Sequence, residues 1–290
     1  MIGFAVFGIA CGMLMNMGGA WIATVVGLCV LAVFIQTLIW LGGLMLVYLV
    51  AGLAVVAGAM AWARRGGLSR LDGGLAALAT TFPNTGFLGL PLLTGLLGPQ
   101  AAGPVAVTIL VDVLLFSSLC LAWARVGAGP LRSAARNPLL WSMAAGMACW
   151  ALGWTWPAPV EQTLSLLAQS ATPAALFTLG AILARAQMTA ARSPDDSKRA
   201  PLWVPTLCKL LLHPALVWLA GQGALAAGAP LTQEGLVALT LAAALPAASN
   251  VSMLAERLGG GSAVVARIIW WTTVLALPTL AVWAHLITRS

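Results

Sequence analysis

Thr80-Thr81-Phe82-Pro83-Asn84-Thr85-Gly86-Phe87-Leu88-Gly89-Leu90-Pro91-Leu92 is the stretch that decides the fold. It lies in an apolar segment long enough to cross a bilayer, yet it carries two prolines, two glycines and an asparagine. Proline removes a backbone N–H and clashes with the preceding turn. In hydrocarbon the freed backbone groups meet no water, so such a break belongs where the backbone lines a polar cavity.

The rest of the chain fits that setting. Of 290 residues, 61% are hydrophobic and 7% charged, against about 25% charged in a soluble domain. This is the composition of an integral membrane protein. Strand alternation is absent, which excludes a membrane β-barrel. The net charge of +7 invites a nucleic-acid reading, but the basic residues cluster in short loops as the positive-inside rule requires, so no nucleic-acid partner is expected. Cys11, Cys29, Cys120, Cys149 and Cys208 lack metal or redox spacing and read as small apolar packers. With no phosphate loop and no HExxH, neither a cofactor nor a metal is expected.

At about 20 residues per span, the apolar segments predict an all-α protein of about ten transmembrane helices. The first five lie at about 2–16, 18–39, 42–63, 72–97 and 101–124, within an N-terminal repeat 1–125. A basic loop, 126–136, follows. The C-terminal repeat, 137–290, holds helices at about 137–154, 162–184, 202–226, 233–257 and 262–287. Asp72 is expected as the N-cap of the fourth helix, and residues 185–201 as a polar loop. Arginine and lysine follow spans three, five, seven and nine, whereas the loops after spans four, six and eight carry none. That asymmetry puts the basic loops in the cytoplasm and, with ten spans, both termini outside. If the short first segment does not cross, the N-terminus is inside.

The two halves echo each other. Pro83-Asn84 interrupts the fourth span, and Pro246 through Asn250 interrupts the ninth, each followed by a glycine turn at Gly98 or Gly259. Five spans per half give the halves opposite topology. Paired interrupted helices in inverted halves point to a transporter binding site. Each becomes two half-helices meeting near the midplane. Those starting near Asn84–Gly86 and Asn250–Val251 offer free N–H groups and a positive dipole end to an anion. The preceding half-helices end in carbonyls that suit donors or a cation. The expected substrate-binding residues are Asn84, Thr85, Gly86, Ser249, Asn250 and Ser252, framed by the crossover prolines Pro83, Pro91 and Pro246. The alternative is a pair of kinked helices packed for stability.

At these residues the chain resembles the auxin efflux carrier family, whose bacterial members include malonate-type carboxylate transporters. The resemblance rests on PNTGFLGLPL (83–92), LPAASNVSMLAERLGG (245–260), NPLLWSMAAGM (137–147) and ATPAALFTLGAILA (171–184), and covers about residues 64–290. It implies a ten-helix inverted-repeat fold with a scaffold domain and a transport domain. In that transport domain helices 4 and 9 are broken and cross, and it carries an organic anion by an elevator-like shift. It also implies asparagines near the substrate carboxylate, at Asn84 and Asn250. The chain departs from the family at the front, with no proline and no charge before residue 64. Either the first helix is divergent or the chain begins downstream of the family's usual start, and the N-terminal scaffold and any homodimer contact are affected.

Other polar residues divide by position. Asp112, mid-span, is a candidate for proton coupling, because an intramembrane carboxylate is costly; a buried, hydrogen-bonded aspartate is the alternative. Lys209 and Arg267 read as snorkelling, His213 as a packed histidine, and Glu256-Arg257 as a solvated pair. The leading function is secondary transport of a small organic anion driven by a proton or sodium gradient or by the substrate's own. The alternatives are a sodium-coupled bile-acid-type symporter and a non-transporting sensor. An intramembrane enzyme is not expected: a serine or metal mechanism needs a nucleophile with a base, or clustered ligands, and the chain has two histidines, His213 and His285. Membrane lipid is the remaining partner.

Overall fold

The computed structural model describes residues 19–124, 141–142, 145–146, 148–149, 152–192, 201–260 and 262–288. The segment expected at 2–16, the basic loop 126–136 and half of the helix expected at 137–154 lie outside them. So do residues 193–200 of the polar loop expected at 185–201. All regular structure among the described residues is helical. The chain divides into two units, residues 1–43 and 44–290. In the first, the described residues from Gly19 onward are helical.

Helix α1, Gly19–Arg65, covers the stretch in which two spans, 18–39 and 42–63, are expected. No proline, charge or polar turn interrupts it, so the backbone has no local reason to leave the helix. It ends at Arg64 and Arg65, where cations meet the negative end of the dipole. Helix α2, Arg70–Thr81, begins at Ser69, whose side chain accepts from the Asp72 amide at 3.1 Å. Asp72 is therefore not the N-cap but a first-turn residue, where its charge faces the positive dipole end.

Helix α2 stops because Phe82 precedes Pro83. Proline disfavours the α region for the residue before it, and Phe82 is extended (φ −77°, ψ 105°). The chain re-enters a helix through a π-turn, Thr85–Gly89, and continues as α3, Leu90–Leu97. The ninth segment repeats the pattern: α9 spans Gln233–Ala243, Pro246 breaks it, and α10 spans Asn250–Leu258. The helices after the two breaks end at Gly98 (φ 93°) and Gly259 (φ 70°), conformations that favour glycine.

Between these pairs run longer helices. Residues 99–123 form one continuous apolar rod in which α4 (Ala102–Val111) and α5 (Ser117–Trp123) flank a π-turn at Asp112–Phe116. Helix α6, Ala158–Arg192, extends past its expected end at 184 and carries Pro173 inside it. Helices α7 (Trp203–Leu207) and α8 (His213–Ala226) flank a third π-turn, Cys208–Leu212. Pro214 cannot donate to Leu210, four residues back, and the Trp283 indole supplies the missing donor to that carbonyl at 3.0 Å. Trp283 belongs to α11, Ser262–Thr288.

Four stretches among the described residues are long and apolar enough to cross a bilayer: Ile35–Arg65, Pro99–Trp123, Trp203–Ala226 and Ala263–Ile287. Large side chains such as Leu46, Leu96, Leu219 and Leu277 are exposed, as lipid contact allows. The described residues are those of an all-helical membrane protein. A buried cluster of Leu93, Val105, Leu241, Leu245 and Ile287 packs α3, α4, α9 and α11 together beside the second break.

Candidate functional site

The two breaks lie against each other. The Asn84 amide donates to the Pro246 carbonyl at 2.8 Å, and the Ala248 amide donates to the Phe82 carbonyl at 2.9 Å. Pro83 and Ala247 thereby form an isolated antiparallel bridge. Each break leaves backbone groups without helical partners, and buried groups of that kind must be satisfied. Here each break supplies the other. The Ala247 amide donates instead to the Thr272 hydroxyl at 3.2 Å, from α11. Thr272 is fully buried and keeps its own hydroxyl proton on the α11 carbonyls of Ile268 and Ile269. Gly89 allows close contact at the pair, because a Cβ there would run into Leu245.

The expected site residues divide around this pair. Pro83 and Pro246 are in the paired backbone. Asn84, Thr85, Ser249 and Ser252 are buried beside it. Asn250 is half-buried at the start of α10. Gly86 is exposed, with open space where a Cβ would stand. Pro91 is exposed in the first turn of α3, away from the paired residues. The main-chain donors of Asn84 and Ala248 are engaged in the crossing and are not offered to an anion. The side chains differ: neither Asn84 nor Ser249 caps the helix that follows it. The Asn84 amide thus sits in the buried crossing with both donor and acceptor atoms. By contrast, the hydroxyls of Thr80 and Thr81 bond back to their own helix, at Ala76 and Ala77.

Asn250 opens onto a cavity of about 320 Å³. Leu78 and Phe82 from the first break, Val113 and Ser117 from the fifth segment, and Met253 and Arg257 from α10 contribute to its wall. Asn250 and Arg257 are seven residues apart, two turns on one helix face, and so about 10 Å along the axis. The cavity therefore has an amide at one pole and a guanidinium at the other, with apolar side chains and the Ser117 hydroxyl in the rest of its wall.

A second buried group lies behind the crossing. Lys209 is fully buried in the π-turn before α8, which overturns the snorkelling expectation. Its ammonium donates to the Thr81 carbonyl at 3.1 Å and the Ala243 carbonyl at 3.3 Å, and lies 3.4 Å from His213 Nδ1. Thr81 and Ala243 are the last residues of α2 and α9. The His213 ring packs against Tyr48, with centroids 5.4 Å apart and the planes tilted by 40°. The Tyr48 hydroxyl donates to Asp112 at 3.0 Å on Oδ1 and 3.3 Å on Oδ2. Asp112 is also fully buried, so the expected intramembrane carboxylate is held in place by a tyrosine. Tyr48, the sole tyrosine in the chain, and Thr272 escaped the sequence reading. The signal for Tyr48 was its isolation in a charge-free apolar run; Thr272 gave none.

The chain has counterparts among known proteins. A family described as "Membrane transport protein" matches residues 125–284, more than half of the chain. The "Putative malonate transporter" of Rhizobium meliloti (strain 1021) is 29% identical over 226 residues, covering 73% of this chain and 67% of that protein. A pair of proline-broken helices joined backbone to backbone, in a chain of this composition, agrees with both matches: this protein is a membrane transporter belonging to the Membrane transport protein family, the family of the auxin efflux carriers.

Proposed function

We propose that this transporter carries a small organic anion, a carboxylate of the malonate class, by secondary active transport across the bacterial cytoplasmic membrane. The observation that carries the reading is the crossing itself. Two half-helices begin where Asn84 and Asn250 stand, and the backbones before them are locked together by the Asn84–Pro246 and Ala248–Phe82 hydrogen bonds. A carboxylate there meets amide donors and two positive dipole ends. Arg257, at the far pole of the cavity, adds positive charge that attracts an anion into it. The name of the relative from Rhizobium meliloti supports a short dicarboxylate.

The proposal includes ten spans in two inverted repeats, 1–125 and 137–290, with basic loops in the cytoplasm. The locked crossing moves as one body with its cargo, in an elevator-like exchange of access, and Asp112 takes part in proton coupling. The test is flux of labelled malonate, and of longer and aromatic acids, into proteoliposomes of the purified protein. Imposed proton and sodium gradients are compared. Saturable uptake of a carboxylate that drives or follows the proton gradient supports the reading. Specific binding without flux would instead favour a sensor.

A further inference from the structure

In a crossing of two broken helices the N-terminal ends attract an anion and the C-terminal ends attract a cation. The carbonyls at the ends of α2 and α9 are such C-terminal ends, each carrying a partial negative charge from the helix dipole. Oxygen ligands from main-chain carbonyls are what a hard cation takes. In this chain one side chain already occupies the position. Lys209 reaches both final carbonyls, Thr81 and Ala243, which are 162 residues apart in sequence (243 − 81). An ammonium has three donors and no acceptor. Two go to these carbonyls and the third faces His213 Nδ1. The imidazole therefore accepts at Nδ1 and carries its proton on Nε2, a buried atom with no partner among the described residues. Asp112 and Lys209 are the buried carboxylate and the buried ammonium among the described residues. His213 and Tyr48 form a continuous contact between them.

We propose that Lys209 is the resident cation of the crossing: it supplies, through a covalent tether, the positive charge that two opposed helix C-termini would otherwise recruit as a metal ion. The crossing then needs no sodium at this position. Removing the side chain converts the position into a site for a small exogenous cation of the alkylammonium or alkali class. The position lies on the carbonyl side of the breaks, and its occupancy is measured without any organic anion. Its failure and the failure of the anion reading are therefore separable.

The experiment is thermal unfolding of the purified full-length protein in detergent, at matched ionic strength, in sodium, potassium, methylammonium or N-methylglucamine chloride. The wild-type transition is expected at the same temperature in all four salts. Lys209→Ala is expected to unfold several degrees lower in N-methylglucamine, and to recover at least half of that loss saturably in methylammonium. Lys209→Met fills the space without donating, so it is expected to stay low in every salt. Lys209→Met as stable as wild type in N-methylglucamine overturns the proposal, and remains measurable if Lys209→Ala does not accumulate. An unrescued Lys209→Ala overturns it equally, as does methylammonium raising wild type and variant alike.

Discussion

The Asn84 amide donates to the Pro246 carbonyl over 2.8 Å, although the two residues stand 162 positions apart (246 − 84). That bond and its mate from Ala248 to Phe82 use main-chain atoms only. The crossing therefore holds whatever the side chains at these positions are, as long as the prolines keep both breaks open. The asparagine amides are left for another task.

Asn84→Ala and Asn250→Ala are thus expected to fold and to fail in transport. A hydrogen bond to a charged group contributes about 1.5–3 kcal/mol, and about 1.4 kcal/mol is tenfold in affinity. Each substitution should weaken carboxylate binding about 10- to 100-fold with an unchanged unfolding temperature. Malonate titrations by thermal shift and uptake measure both. Uptake of every transported acid at wild-type affinity in both variants would remove the crossing from the anion site.

Asp112→Asn separates proton coupling from architecture. The amide oxygen still accepts from the Tyr48 hydroxyl, so the 3.0 Å contact survives, while the group can no longer carry a proton. Uptake in the variant is expected to persist down a substrate gradient and to lose its response to an imposed pH gradient. Tyr48→Phe does the opposite: it keeps the carboxylate and removes its donor, at a cost of about 1–3 kcal/mol. It should lower stability while leaving some pH response. Unchanged pH dependence in Asp112→Asn would rule out the coupling role.

The two breaks were legible in the sequence because proline acts on its own neighbours: Phe82 is extended because Pro83 follows it. The buried cluster was not, for the opposite reason. Lys209 is six residues into its apolar segment, where snorkelling and burial look alike, and the choice is made by carbonyls contributed from Thr81 and Ala243. The stretch 18–63 was read as two spans on length alone. Residues 19–65 are helical on both sides of Gly42-Gly43, and no proline or charge marks a boundary between the two. Asp72 was named as a cap from its place at the front of an apolar run, whereas the cap hydrogen bond starts three residues earlier, at Ser69.

Arg257→Ala addresses the cavity's far pole. An acid with one carboxylate held by Asn250 should lose little, whereas an acid whose second carboxylate reaches two turns along α10 should lose about tenfold or more. Competition between mono- and dicarboxylates for uptake reads the ratio directly. Equal losses for both classes would leave Arg257 as a general electrostatic contribution rather than a selector.

Gly52→Ala tests the packing under Asp112. A Cβ at Gly52 would overlap the ring of Phe116, which is fully buried in the π-turn that begins at Asp112. An aromatic ring with no free volume cannot turn aside, so the substitution should cost about 1–3 kcal/mol. Phe116→Leu in the same chain should restore part of it. At Gly221 the obstructing atoms are the Leu236 methyls, which have rotamers to choose from, and Gly221→Ala should be milder. Unfolding temperatures of the three variants order the effects.

Thr272 is the most economical probe of the crossing as a structural unit. Its hydroxyl accepts the Ala247 amide, the one donor of the Pro83–Ala247 bridge that faces away from the partner strand. Thr272→Val keeps the shape and deletes the acceptor, leaving a buried N–H with no water to turn to. That should cost about 1–3 kcal/mol and is expected to reduce transport by loosening the second break. Thr272→Ser keeps the oxygen and loses one methyl, and is expected to stay within about 1 kcal/mol of wild type with near-normal uptake. The contrast between two substitutions of similar size isolates the hydrogen bond from the volume. If valine and serine behave alike in stability and in flux, the crossing does not depend on α11, and the break at Pro246 is held by its two hydrogen bonds to Phe82 and Asn84.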